Sequence, residues 1–119
     1  MMDERTLRDR LSNVSEIEIT VTGRKSGRSI TLPIWFVHED GPLYLLPVKG
    51  SNTQWYKNVL NNPRMGISAG GAEGQFTVTP VTDAKEVLQI VERFRGKYGP
   101  SDVKKYYSKF DVAVVAKLP

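Results

Sequence analysis

The sequence predicts a mainly β fold with some helix: a small antiparallel barrel or strongly curved sheet of about six strands and a few short helices. Three observations lead there. Apolar residues recur at every second position in several short runs, as in Ile17, Ile19 and Val21 and again in Ile30, Leu32, Ile34 and Phe36. The runs are separated by short glycine, proline or asparagine turns that favour hairpins over crossovers. Only one segment, beginning at Asp83, carries a long helical period.

Taken in order, Asp3 to Leu11 is charged, with apolar residues only at Leu7 and Leu11; that spacing suits a weakly anchored two-turn helix within an N-terminal arm over residues 1–13. A hairpin follows from about Val14 to Val37, turning at Thr22-Gly23-Arg24-Lys25-Ser26-Gly27-Arg28, and each of its strands is expected to bury one face. Glu39-Asp40-Gly41-Pro42 is the next turn and Leu43 to Val48 the third strand. Thr53 is placed to cap a short helix from Gln54 to Asn61, which Asn62-Pro63 ends. Arg64 to Ala69 and Gln75 to Val81 are the fourth and fifth strands, joined at Gly70-Gly71. Asp83 with Glu86 three residues later forms a capping-box pattern, and Val87, Ile90, Val91 and Phe94 make the apolar stripe of the helix. Gly99-Pro100 stops it. A short helix within Ser101 to Phe110 and a closing strand from Val112 to Lys117 complete the chain, read as a single domain over residues 1–119.

Composition narrows the chemistry. With no cysteine among 119 residues, disulfides, thiolate metal sites and cysteine nucleophiles are excluded. One histidine, His38, cannot build a histidine-rich metal site, and no serine has an evident histidine base, so no metal and no hydrolase triad are expected. His38 beside Glu39 and Asp40 fits a metal or acid–base pair, or simply an exposed turn. The N-terminus lacks an apolar signal segment and no run is long enough to span a membrane, so a cytoplasmic location is expected. A net charge of +4 favours anionic partners.

The basic turn concentrates that charge. Arg24, Lys25 and Arg28 fall within five positions, bracketed by glycines. The arrangement suits a cradle for phosphate or carboxylate, or a solvated basic loop. Trp55 and Asn58 share a helix face, so the pair suits a planar heterocycle with a polar edge; Trp55 is equally a core residue by type and Asn58 equally a helix cap. Tyr98, Tyr106 and Tyr107 lie among Lys97, Lys104, Lys105 and Lys109. Such a patch can line a substrate pocket or stack single-stranded nucleic acid, or be the boundary of an amphipathic helix.

Three segments taken together resemble the deazaflavin-dependent nitroreductase family of split β-barrel oxidoreductases. They are Thr22-Gly23-Arg24-Lys25-Ser26-Gly27 followed by Pro33-Ile34-Trp35-Phe36, then Lys49-Gly50, then Trp55-Tyr56-Lys57-Asn58-Val59-Leu60-Asn61-Asn62-Pro63. The resemblance extends over roughly residues 15–119. It implies a split β-barrel of the FMN-binding type, coenzyme F420 as cofactor, and hydride transfer to quinones, nitroaromatics or activated enones. Carried over by position, it implies a coenzyme site of Arg24, Lys25, Ser26, Arg28, Lys49, Gly50, Trp55 and Asn58. Substrate-pocket candidates are Trp35, Tyr98, Tyr106 and Tyr107. The chain departs from the pattern at Ile30, where the family has arginine and Arg28 stands in, and at Ser101 and Lys104, where the family has tyrosines. A small-molecule substrate is then the expected partner, with a homodimer compatible and no nucleic acid expected. The alternatives are an FMN-dependent relative and a non-catalytic module for cofactor or nucleic-acid binding.

Overall fold

The computed structural model describes residues 4–39 and 41–118. Its elements are α1 (Glu4–Leu11), β1 (Ile17–Thr22), β2 (Ser29–Ile34), β3 (Phe36–His38), β4 (Pro42–Leu45), a 3-10 turn (Gly50–Asn52), α2 (Gln54–Asn61), β5 (Arg64–Ala69), β6 (Ala72–Val81), α3 (Ala84–Tyr98), α4 (Pro100–Tyr106) and β7 (Ala113–Lys117). Seven strands form one antiparallel sheet in the order β2-β1-β5-β6-β7-β4-β3. The fold is a split β-barrel, made of two half-sheets that meet at two corners. One corner is β6, whose Ala72–Thr77 part pairs with β5 and whose Val78–Val81 part pairs with β7. The other is Trp35, the single residue between β2 and β3, which are the outermost strands of the order.

The seventh strand corrects the expected count of six. Alternation runs through Ile34 and Phe36 without a break, so the sequence reads as one strand. The backbone instead turns at Trp35, and adjacent residues Phe36 and Val37 are both buried, on opposite sides of the sheet. The first hairpin also buries less than its alternation suggests. β1 buries Ile17, Ile19 and Val21, but Ile30 of β2 is 41% exposed, as befits an edge strand. β4 ends at Leu45, short of Val48, and β6 begins earlier than expected, at Ala72.

Inside the barrel, Ile17, Ile19, Leu43, Leu45, Met65, Ile67 and Val114 pack with Trp55, Tyr56 and Val59 of α2. Leu7 and Leu11 join them, so α1 is anchored in the core where weak anchoring was expected; Asp3, its expected first residue, lies outside the described residues, as does Asp40 of the turn before β4. Outside the barrel, α3 lays Val87, Ile90, Val91 and Phe94 over Val37, Leu46 and Ala113. Asp83 caps that helix as its pattern predicts, accepting a hydrogen bond from the Glu86 amide at 3.0 Å. Thr53 does not cap α2 in this way; its hydroxyl oxygen accepts from the Lys49 amide at 2.8 Å and ties down the preceding loop. Among the described residues, no helix is long and apolar enough to cross a membrane.

Candidate functional site

Two clefts open beside β2. The first lies at the hairpin tip, about 330 Å3 in volume, and is lined by Gly23, Arg24, Lys25, Ser26, Ile30, Gln54 and Asn58. Asn58 is only 5% exposed and is the one buried polar side chain among the described residues. Its Oδ1 accepts from the Arg24 amide at 3.1 Å and from Arg24 Nη1 at 2.8 Å. Arg24 Nη2 donates to Gln54 Oε1 at 2.8 Å, so α2 holds the loop through residues one helical turn apart. Two donors on one oxygen fix which end of the Asn58 amide is which. The amide nitrogen faces away from Arg24 and makes no hydrogen bond within the described residues. Around it stand Lys25 and the Ser26 hydroxyl, which accepts from the Arg28 amide at 3.2 Å and keeps its own proton to donate. The cleft is therefore rich in donors and positive charge, with an apolar floor at Ile30.

The second cleft, about 310 Å3, is lined by Glu16, Pro33, Ile34, Trp35, Leu46, Val48, Tyr106 and Tyr107. Trp35 organises it. Tyr98 stacks on Trp35 with ring centroids 4.2 Å apart and planes 7° apart, while Tyr106 meets it edge-on at 5.5 Å. Tyr98 stands behind the wall. Its hydroxyl accepts from the Phe36 amide at 3.1 Å and reaches the carbonyls of Ser15 and Phe36 at 2.8 and 2.9 Å. It is a fastener of the Trp35 corner and not part of the cleft lining. Desolvation pushes the Tyr98 phenol up to about 12, with the Phe36 backbone bond opposing and Glu16 adding. Burial likewise drives the Tyr107 phenol well above its ordinary value, with Tyr98 adding to it.

A pH dependence follows. Unfolded tyrosines ionise near pH 10, whereas the native state holds these two protons beyond that. Above pH 10 the unfolded state binds fewer protons, so stability should fall as pH rises through the 10–12 window. Tyr107→Phe should flatten that decline, as measured by denaturant midpoints across the window.

The predicted coenzyme residues divide. Arg24, Lys25, Ser26 and Asn58 converge on the hairpin cleft, and Gln54, one turn before Asn58, was missed although its spacing marked it. Arg28 is exposed outside that lining. Trp55 is 4% exposed in the barrel core, so its ring is unavailable for stacking on a ligand. Lys49 is exposed and lines neither cleft. Gly50 is closed in by the chain itself: a Cβ there would stand 2.1 Å from Asp111 Oδ1. Asp111 in turn accepts from the Ser51 amide at 2.9 Å and the Ser51 hydroxyl at 2.5 Å, with Lys109 Nζ 3.5 Å away. Desolvation raises the Asp111 carboxyl, but the Ser51 bonds and Lys109 outweigh it and hold the group below its ordinary value. His38 borders neither cleft; it lines a third, at the end of α1.

Solved structures share this architecture. An F420-H2 dependent reductase, FDR-A, superposes with a TM-score of 0.68 at 21% identity, over 87% of this chain and 94% of its own. The heme storage protein HutZ from Vibrio cholerae gives 0.70 at 14% identity, over 100% and 91%. The conserved hypothetical protein Rv2991 from Mycobacterium tuberculosis gives 0.70 at 16% identity, over 99% and 81%. At these identities the likeness establishes the split-barrel fold. Residues 8–117 match the family described as "Uncharacterized protein conserved in bacteria (DUF2255)", and the chain belongs to that family.

Proposed function

We propose that the protein is a reductase that uses reduced coenzyme F420 to reduce a quinone, nitroaromatic or activated enone. The observation that carries this reading is the placement of both clefts along one strand. Ile30 lines the hairpin cleft and Ile34 the aromatic one, and the two share a face of β2. Four residues of strand separate them by about 13 Å. A donor-rich end and an aromatic end at that separation suit a ligand with a planar ring and an anionic tail. The residues present fit such a group. Asn58 offers an uncommitted N–H donor on a buried side chain, and Arg24, Lys25 and Ser26 supply the charge and further donors that phosphate or carboxylate needs. The helix face shared by Trp55 and Asn58 suggested a ring beside Trp55; with Trp55 in the core, the ring is better accommodated at the Trp35 end.

When bound, the coenzyme supplies the hydride. The chain's own work is to hold the tail, orient the ring and keep water from it. Trp35 and Tyr107 form the apolar wall. Ser51 has its proton committed to Asp111, and Tyr98 has its proton committed to backbone carbonyls. Tyr106 is half exposed at the rim and has no hydrogen bond among the described residues, which leaves its phenol free to protonate product. A soluble small-molecule reductase working as a monomer or homodimer in the cytoplasm is the setting this reading takes.

The test is a side-by-side titration with coenzyme F420 and FMN, followed by oxidation of the reduced coenzyme with menadione. F420 should bind and turn over. Tight FMN binding without F420 binding would overturn the coenzyme assignment in favour of a flavin relative. Lys25→Ala should weaken F420 about tenfold, the loss of one partly screened charged contact of about 1.4 kcal/mol. The tail keeps its charge through the reaction, so turnover at saturating coenzyme should stay unchanged.

A further inference from the structure

A third cleft is larger than either of these. It has a volume of about 490 Å3 and lies between the end of α1, β3 and α3, lined by residues that include Leu11, Val14, Phe36, Arg93, Gly96 and Lys97. Its lining is mixed: Leu11, Val14, Phe36 and Val37 are apolar, while Ser12, His38, Glu39, Arg93 and Lys97 are polar or charged, and the charges are unevenly satisfied. Arg93 is paired with Glu39. Lys97 has no carboxylate within ion-pair distance among the described residues. Its Nζ instead donates to the Phe36 carbonyl at 2.7 Å and sits 3.4 Å from the centre of the Phe36 ring. One N–H therefore goes to a neutral acceptor and one face to a π-cloud, with a further donor to spare. Lys97 is exposed as a residue, yet desolvation of its amine pulls the pKa down to about 8.

We propose that this cleft is a binding site for an organic monocarboxylate with an apolar body. The carboxylate would sit on the Lys97 ammonium, and the body against Leu11, Val14 and Phe36. One unneutralised cation matches one negative charge; a dianion would need Arg93, which Glu39 already holds. The size suits an aryl or medium-chain acid. The site shares no lining residue with the aromatic cleft and stands independently of the F420 reading.

Gly96 provides the means to test it. A Cβ built there meets nothing within 4 Å, and the residue is in the body of α3. Gly96→Leu therefore adds bulk at the cleft lining, with open space for its Cβ, and gains helix propensity. The probes are benzoate and benzamide, which share a ring and differ in charge, followed by ligand-observed NMR on the full chain. Benzoate should bind in the millimolar range typical of so small a ligand, and benzamide at least about tenfold more weakly. Gly96→Leu should abolish benzoate binding while melting temperature and F420 binding hold. Lys97→Met should weaken benzoate at least about tenfold, and Lys97→Arg should restore most of it. Equal binding of benzamide would overturn the proposal. So would benzoate binding that survives Gly96→Leu, or that is lost in Lys25→Ala, which would place the probe at the hairpin cleft. Absence of benzoate binding at about 20 mM would overturn it as well.

Discussion

Alanine at position 50 should cost the fold roughly 3 kcal/mol or more and lower the melting temperature by roughly 10 °C. Gly50 has φ +54 and is buried. A β-carbon there would approach Asp111 Oδ1 to 2.1 Å and Lys109 Cγ to 3.0 Å. Backbone strain alone explains only about 1–2 kcal/mol of that loss. The remainder comes from Asp111, which cannot retreat without breaking its bonds to the Ser51 amide and hydroxyl. Gly27 is the internal control. It has φ +71, and a Cβ added there would meet nothing within 4 Å, so Gly27→Ala should show the strain alone. Because the Gly50 penalty runs through the carboxylate, Gly50→Ala and Asp111→Ala should be non-additive. The double variant should lose less than the two singles together. Additive losses would mean that Asp111 is not what closes the space.

Asn58→Asp should leave the protein folded and weaken F420 binding between about tenfold and a hundredfold. A carboxylate at 58 keeps both acceptor bonds to Arg24, now with opposite charge across them. What it loses is the amide N–H that opens on the hairpin cleft, and what it adds is a negative charge facing an anion. Asn58→Ala makes the contrast. It strands the Arg24 amide and guanidinium together, so it should cost about 2–3 kcal/mol of stability as well as affinity. Comparing thermal midpoints with coenzyme titrations separates the two. Unchanged F420 affinity in Asn58→Asp would show that the tail does not lie in this cleft.

The hairpins, α2, β5 and the capped α3 were legible because each is written locally. Period-two alternation, the Asn62-Pro63 stop and the Asp83–Glu86 pattern lie within a few residues of what they specify. The candidate site was legible in part. Four residues of the coenzyme set converge, but the bond joining Arg24 to Asn58 spans 34 positions, and no local pattern announces it. The break at Trp35 was hidden for a different reason. Alternation reports which side a residue faces, not whether the strand has passed to another half-sheet, and Val37 faces α3 whether or not the chain has turned. Trp55 shows the same limit. It stands one helical turn from Asn58, as the spacing implies, yet a helix face can point a tryptophan inward and its neighbour toward a cleft.

The two corners also determine how the molecule is able to deform. Each half-sheet is rigid through its own ladders, and the halves are linked by continuous chain at Trp35 and by the shared strand β6. A strand that belongs to two ladders at once holds the halves in one register, and Ile19, Ile67, Leu45 and Val114, drawn from both halves, pack in a single cluster. The opposite corner is tied as well, because the Tyr98 hydroxyl joins Ser15 to Phe36 across it. The aromatic cleft is therefore built on the stiffest part of the sheet, so Tyr98→Phe, which removes those ties, should raise amide exchange at Phe36 first.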